Sequence, residues 1–324
     1  ASPRAPGPPP VPHATAPAAG PPLWACRNAV SGVNHLPRDP PAADPDAAEL
    51  CYEDGSCPPS KECMLNGLTD PCFFARHDST LAVAFAERFY NETQARRCIA
   101  PDRRPGQSAL FLMGDSTSDS IRLATRKVVQ SAGLAMAHVA MACCPWGMHN
   151  IPGEDLSQAE CDCSQELDNL QDFLLEQLEQ QLRPGDIVLS IAHSNFHLRA
   201  SAMAWYREVG IPLIERKGAK LVLVVSWPTI PAVCFFLPQQ PGCRRPASWP
   251  SEALARVAAL REEHPSVYAV DLSMPFCSDG GVCTPCLMGS THVGYTVDGI
   301  HLTVYASNIV ASFLGQALVD RGLL

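Results

Sequence analysis

From about residue 108 onward, short wholly apolar runs alternate with longer amphipathic stretches. Residues 109–113, 134–140, 187–192, 221–226 and 267–272 are strand-sized and apolar on both faces, the pattern of strands covered from above and below. Between them, apolar positions recur with a helical period, predicting helices over 121–129, 165–182, 198–217, 251–263 and 303–319. The second is the best defined: Leu167, Leu170, Phe173, Leu174, Leu178 and Leu182 share one face, and Pro184 and Gly185 end it. Five such strands separated by helices predict an α/β fold, a mostly parallel sheet sandwiched between two helical layers. In sheets of this kind ligands bind beyond the carboxyl ends of the strands. Residues just after strands, such as Ser116 and Asn195, are therefore the first to weigh for chemistry.

The chain before residue 108 reads differently. Residues 1–23 are rich in Pro and Ala and carry few large apolar side chains, so they cannot offset the entropy of ordering. Residues 24–107 form a cysteine-rich, loop-rich segment, with turn clusters such as Pro37 to Pro41 and one helical pattern near 81–97. This gives three parts: an extended leader, a disulfide-stapled segment and an α/β domain over 108–324. Fifteen cysteines among 324 residues indicate an oxidising compartment. The sequon Asn91-Glu92-Thr93 makes Asn91 a candidate glycosylation site. The expected location is secreted or lumenal, with the leader absent from this sequence, which starts at Ala1 without an apolar signal core. A net charge of −9 argues against a nucleic-acid partner. The longest apolar runs fall far short of the roughly 20 residues that cross a bilayer, so no transmembrane segment is expected. The oligomeric state is open.

The strongest chemical signal is Gly114-Asp115-Ser116, where an apolar strand runs directly into a helix start. A serine there can cap the helix. It can also present a nucleophilic hydroxyl beside backbone N–H groups able to hold a developing oxyanion. The second signal is Asp298-Gly299-Ile300-His301, just before the last helix. Either Asp298 caps a turn beside a surface histidine, or Asp298 orients His301 as the base for a serine.

Gly114-Asp115-Ser116 near the first strand and Asp298-x-x-His301 near the end together resemble the first and last blocks of the SGNH (GDSL-like) hydrolase superfamily. Cys144-Pro145 and the run from Asp298 to Thr303 are similar to SGNH domains associated with acyltransferases that modify cell-surface glycans. The resemblance covers residues 108–324. It implies a flavodoxin-like sheet, Ser116 as nucleophile, His301 as base, Asp298 as its partner and the Ser116 amide in the oxyanion hole. For the remaining oxyanion donors, the family's middle blocks would fall on Gly147 and on Asn195, which here lies in Ala192-His193-Ser194-Asn195-Phe196 rather than in the usual Gly-x-Asn-Asp.

Other clusters have two readings. Cys277, Cys283, Cys286 and His292 have spacings that zinc accepts, and Cys283-Thr284-Pro285-Cys286 resembles a redox pair; both are also what disulfide staples look like. His193 and His197 either line the site or pack. Trp146 and Trp227 either form a sugar-stacking wall or fill the core. The expected function is a serine-dependent esterase or O-acyltransferase, acting on an acetyl ester, with carbohydrate as the substrate class the resemblance implies. That chemistry requires no metal and no cofactor. The alternative is a catalytically inactive SGNH-fold extracellular binding module.

Overall fold

In the computed structural model, the residues described are 72–74, 92–141, 144–147, 165–228, 245–246, 249–276, 282–283, 302 and 304–324. Strand β1 (Phe73–Phe74) and helix α1 (Glu92–Ile99) come first, followed by β2 (Ala109–Gly114), α2 (Ser116–Ser120), α3 (Arg122–Ser131) and β3 (Ala135–Met141). Helix α4 (Gln165–Gln181) leads to β4 (Ile187–Ile191), a 3₁₀ turn (His193–Leu198), α5 (Ala200–Trp205), a π turn (Tyr206–Gly210), α6 (Ile211–Arg216) and β5 (Lys220–Val225). The chain ends with β6 (Arg245–Pro246), α7 (Trp249–Glu263), β7 (Val267–Asp271), a 3₁₀ turn (Met274–Phe276), β8 (Val282–Cys283) and α8 (Val304–Asp320).

The main sheet has the order β1-β3-β2-β4-β5-β7, with every pair parallel; β6 and β8 form a separate antiparallel pair. Leaving out the two-residue edge strand β1, the order is that of the flavodoxin-like doubly wound folds. The order in which strands are added to the sheet reverses between β2 and β4, the topological switch point.

Strand periodicity divides the core. In β2, Phe111 and Met113 point to one face, where they meet Leu170, Leu174 and Leu178 of α4 and Val257 and Leu260 of α7. Leu110 and Leu112 point to the other face, with Val129 of α3 and Val310, Leu314 and Leu318 of α8. Each such fully buried side chain contributes about 1.5–3 kcal/mol of apolar transfer. The β2 strand, buried along its whole length, is the axis of both layers.

Two features differ from the sequence-based expectation. First, the cysteine-rich stretch supplies part of this sheet, because β1 pairs with the carboxyl end of β3 and the Cys72–Cys98 disulfide ties it to α1. Of the helix expected near 81–97, the described portion is helical from Glu92 and the rest lies outside the described residues. Second, the single helix expected over 198–217 is divided by the π turn. Pro212, at the start of α6, has no N–H to give to the preceding turn, and the helical ladder slips by one residue to accommodate it.

The end of the sheet opposite the site is closed by a buried polar knot. Fully buried Asp186 accepts hydrogen bonds from Arg103 Nη1 at 2.8 and 3.0 Å and from the Ala109 and Arg183 amides at 2.8 Å each. Arg103 also donates to the Gln181 carbonyl. With both Asp186 oxygens accepting two hydrogen bonds each, this knot fixes where β2 and β4 begin, and hence where both end.

Candidate active site

The carboxyl ends of β2 and β4 are neighbours, with Gly114 in register with Ile191. Gly114 is required sterically: a Cβ there would lie 2.0 Å from the Ile191 carbonyl oxygen and 2.9 Å from Ser118 Cβ. The chain then turns into α2, and Asp115 caps the helix, its Oδ1 accepting from the Thr117 amide at 2.8 Å. The Asp115 carbonyl accepts from the Ser118 amide at 2.9 Å and from its hydroxyl at 2.7 Å. Ser116, half-buried at the first position of α2, is thus held in a turn braced by the Asp115 side chain and carbonyl.

Asp115 does a second job. Its Oδ2 accepts the His193 amide at 2.9 Å, so one carboxylate straps the β2 turn to the β4 turn. The side chain is 1% exposed, and burial pushes its pKa up, against the opposing influence of the His193 charge and of the hydrogen bonds from His193 and Thr117.

Asn195 lies in the β4 turn with φ at 58°, the only non-glycine left-handed residue among those described. Asparagine tolerates this region better than most side chains. Its Oδ1 accepts from the Ser226 amide at 2.8 Å and the Ser226 hydroxyl at 3.1 Å, at the end of β5. Those two donors fix the orientation of the amide, and Nδ2 bonds to no described residue. A preset N–H donor is therefore presented at the strand end beside the one bearing Ser116.

Of the other expected residues, Gly147 has φ at 86°, and its N–H is given to Gln171 Oε1 at 2.8 Å. A Cβ there would meet the Trp205 ring at 2.8 Å. Its amide is committed to α4, and the glycine is explained by its backbone and by packing. Trp146 is fully buried, with ring centroids 4.9 Å from Trp205 and 5.9 Å from Tyr206, and Trp227 packs at 6.1 Å from Phe276. Both tryptophans fill core rather than wall a cleft. His197 is also core. It is 0% exposed, and burial lowers its pKa to about 3, with the Val224 backbone opposing, although neither ring nitrogen completes a hydrogen bond of normal geometry. His193 is half-buried and stands at the site. Asp298, His301, Cys277, Cys286, His292 and Asn91 lie outside the described residues. Cys144 is disulfide-bonded, and among the described residues no cluster could hold a metal ion.

The strap from Asp115 and the clamp from Ser226 were not foreseen from sequence. Asp115 carried a signal, because an aspartate just before a helix start is a strong capping residue. Ser226 carried none beyond its place at a strand end.

Residues 72–316 match the SGNH domain family, described as the SGNH domain fused to AT3 domains, and the chain belongs to that family. Membership supports acyl-ester hydrolase or acyltransferase chemistry in general. Among solved structures, the periplasmic domain of a lipopolysaccharide acetyltransferase from Salmonella ser. Paratyphi A is similar at 12% identity with a TM-score of 0.50, over 80% of this chain and 93% of that one. A family 3 carbohydrate esterase from Clostridium thermocellum is similar at 12% identity with a TM-score of 0.41, over 67% of this chain and 98% of its own. No curated sequence matches the chain. Among the described residues, no helix is long and apolar enough to cross a membrane.

Proposed function

We propose that this chain is a serine esterase or O-acyltransferase of the secretory route that moves an acetyl group on or off a carbohydrate hydroxyl. The Ser116 hydroxyl attacks the ester carbonyl while His301 takes its proton, Asp298 holding the imidazole in the right tautomer. The carbonyl oxygen becomes an oxyanion, which the Ser116 amide and Asn195 Nδ2 stabilise; Gly147, its amide given to Gln171, has no part in the hole. Collapse of the tetrahedral intermediate expels the alcohol, which receives the proton from His301, and leaves an acetyl ester on Ser116. Water or a sugar hydroxyl then attacks that ester, and the same groups act in reverse order.

The observation that carries this reading is the placement of Ser116 and of an oriented, unspent Asn195 Nδ2 donor at adjoining strand ends, locked together by Asp115. The family match and the disulfides support the acyl chemistry and an oxidising location. Asn91 would carry the glycan. The direct test is release of 4-nitrophenol from its acetate by the wild type and by Ser116→Ala, each checked for folding, together with labelling by a fluorophosphonate. Turnover and labelling that both vanish in the variant support the proposal. Equal rates in the two proteins, with no labelling of folded wild type, would point instead to an inactive binding module.

A further inference from the structure

The 3₁₀ turn that carries Asn195 also builds a ridge. His193 and Phe196 lie within the turn, and Arg199 follows it in an extended conformation. The His193 ring meets Phe196 edge-on at 5.3 Å, and the Arg199 guanidinium lies over the Phe196 ring, 4.1 Å from its centroid. All three are half-buried, and the ridge is rooted on the site because the His193 amide is held by Asp115 and Asn195 lies within the same turn. Its far end is held from α7, whose Arg256 Nη1 donates to the Leu198 carbonyl at 2.9 Å.

Arg199 differs in use from the arginines around it. Arg256 also binds Glu252, Arg207 binds Glu263 and Arg216 binds Glu179, whereas Arg199 has no hydrogen bond and no ion pair among the described residues. Stacking restrains the guanidinium and leaves its planar edge of N–H donors unspent. That edge matches a carboxylate through two parallel hydrogen bonds, and its preset orientation lowers the entropy lost on binding. One fork and one charge suit a monoanion better than a doubly charged phosphate.

We infer that His193, Phe196 and Arg199 form a substrate subsite in which Arg199 binds a carboxylate on the acyl-bearing molecule, making acetylated acidic sugars the substrate class. Phe196 positions Arg199 rather than stacking a sugar itself, because the guanidinium already covers one face of its ring. The inference rests on the esterase reading for its kinetic consequence, but the binding event needs no catalysis.

Two measurements separate the two ideas. The first is kcat/KM for an O-acetylated methyl glucuronide divided by that for the same acetylated methyl glucoside. Wild type should favour the acidic ester, and Arg199→Met, which keeps an apolar stem on Phe196, should lower the ratio about tenfold or more through KM, the usual size of a lost charge-assisted pair. Arg199→Lys should recover part of it, since charge returns without the fork. The second measurement titrates methyl glucuronide and methyl phosphate into Ser116→Ala, reading chemical shifts. Saturable shifts with glucuronide that disappear when Arg199→Met is added support the subsite even if no ester is turned over. A ratio near one in wild type, an unchanged ratio in Arg199→Met, or tighter binding of phosphate than of glucuronide would overturn the inference. Loss of turnover on both esters together with retained glucuronide binding would instead count against the esterase reading alone.

Discussion

The turns after β2 and after β4 lie side by side at the same edge of the sheet, and they meet the demand for a fixed active-site geometry by different physical means. The β2 turn places its constraint on glycine. Gly114 is there because no Cβ fits against Ile191, and Asp115 caps a short helix with its backbone in an ordinary extended conformation. The β4 turn places its constraint on Asn195, the proposed oxyanion donor. Asn195 adopts a left-handed backbone that costs about 1–2 kcal/mol for a side chain that cannot offset it, and the Ser226 hydrogen bonds compensate. A turn built by a small residue leaves the neighbouring serine free of that constraint, whereas a turn built on Asn195 couples the proposed oxyanion donor to the end of β5.

The largest effect expected is kinetic and comes from the β2 side. Ser116→Ala should lower kcat for an acetyl ester by roughly a thousandfold or more, with an unchanged circular dichroism spectrum because the Asp115 cap does not use the serine side chain. Next is a stability change on the same turn: Gly114→Ala should destabilise the fold by about 3 kcal/mol, as overpacking against an unyielding strand carbonyl does. A urea midpoint close to wild type would show that the β2–β4 contact yields to admit a methyl group.

The β4 turn can be dissected by two substitutions. Asn195→Gly keeps the left-handed turn and removes the donor, so kcat should fall about a hundredfold. Asn195→Ala removes the donor and also strains the turn, and should be less stable than the glycine variant by roughly 1 kcal/mol. Equal stability of the two would mean that the turn relaxes freely. A glycine variant with wild-type kcat would remove Asn195 from the oxyanion hole.

The same contrast explains what was legible in the sequence. Five strands and the helices between them were visible because apolar runs bounded by turns depend on local pattern alone. Gly114-Asp115-Ser116 was visible because its constraint is written as residue types at adjacent positions. Asn195 was singled out by its place after a strand and by the family resemblance, but its left-handed turn was not visible, since a backbone conformation stabilised by Ser226, 31 positions away, leaves no local pattern. Edge strand β1 escaped for a related reason: two residues show no periodicity, and pairing with β3 alone defines them. The break at the π turn could have been anticipated from Pro212 inside an otherwise helical stretch.

The smallest expected effect concerns the carboxylate that joins the turns, and it is read from pH. Burial raises the Asp115 carboxyl above its ordinary value of 3.8, so just above that pH the folded chain binds more protons than the unfolded one. The stability it contributes is fully present below pH 3.8 and is lost as pH rises through the folded value. Buried His197 acts in the opposite sense. Its contribution is present above the unfolded value of 6.5 and is lost as pH falls toward about 3. A pH profile of wild type alone would blend the two, but the difference between wild type and Asp115→Asn cancels His197, which both proteins share. Asparagine keeps the cap to the Thr117 amide and puts an NH₂ group where Oδ2 met the His193 amide, so the variant should be less stable by about 1 kcal/mol at low pH. That gap should narrow as pH rises from 4 toward 7, measured by urea denaturation at each pH, because only the wild type then buries a charge. A gap that stays constant across the range would show that the strap is ionised throughout, and that the two turns are held by a carboxylate whose pairing with His193 and Thr117 outweighs its burial.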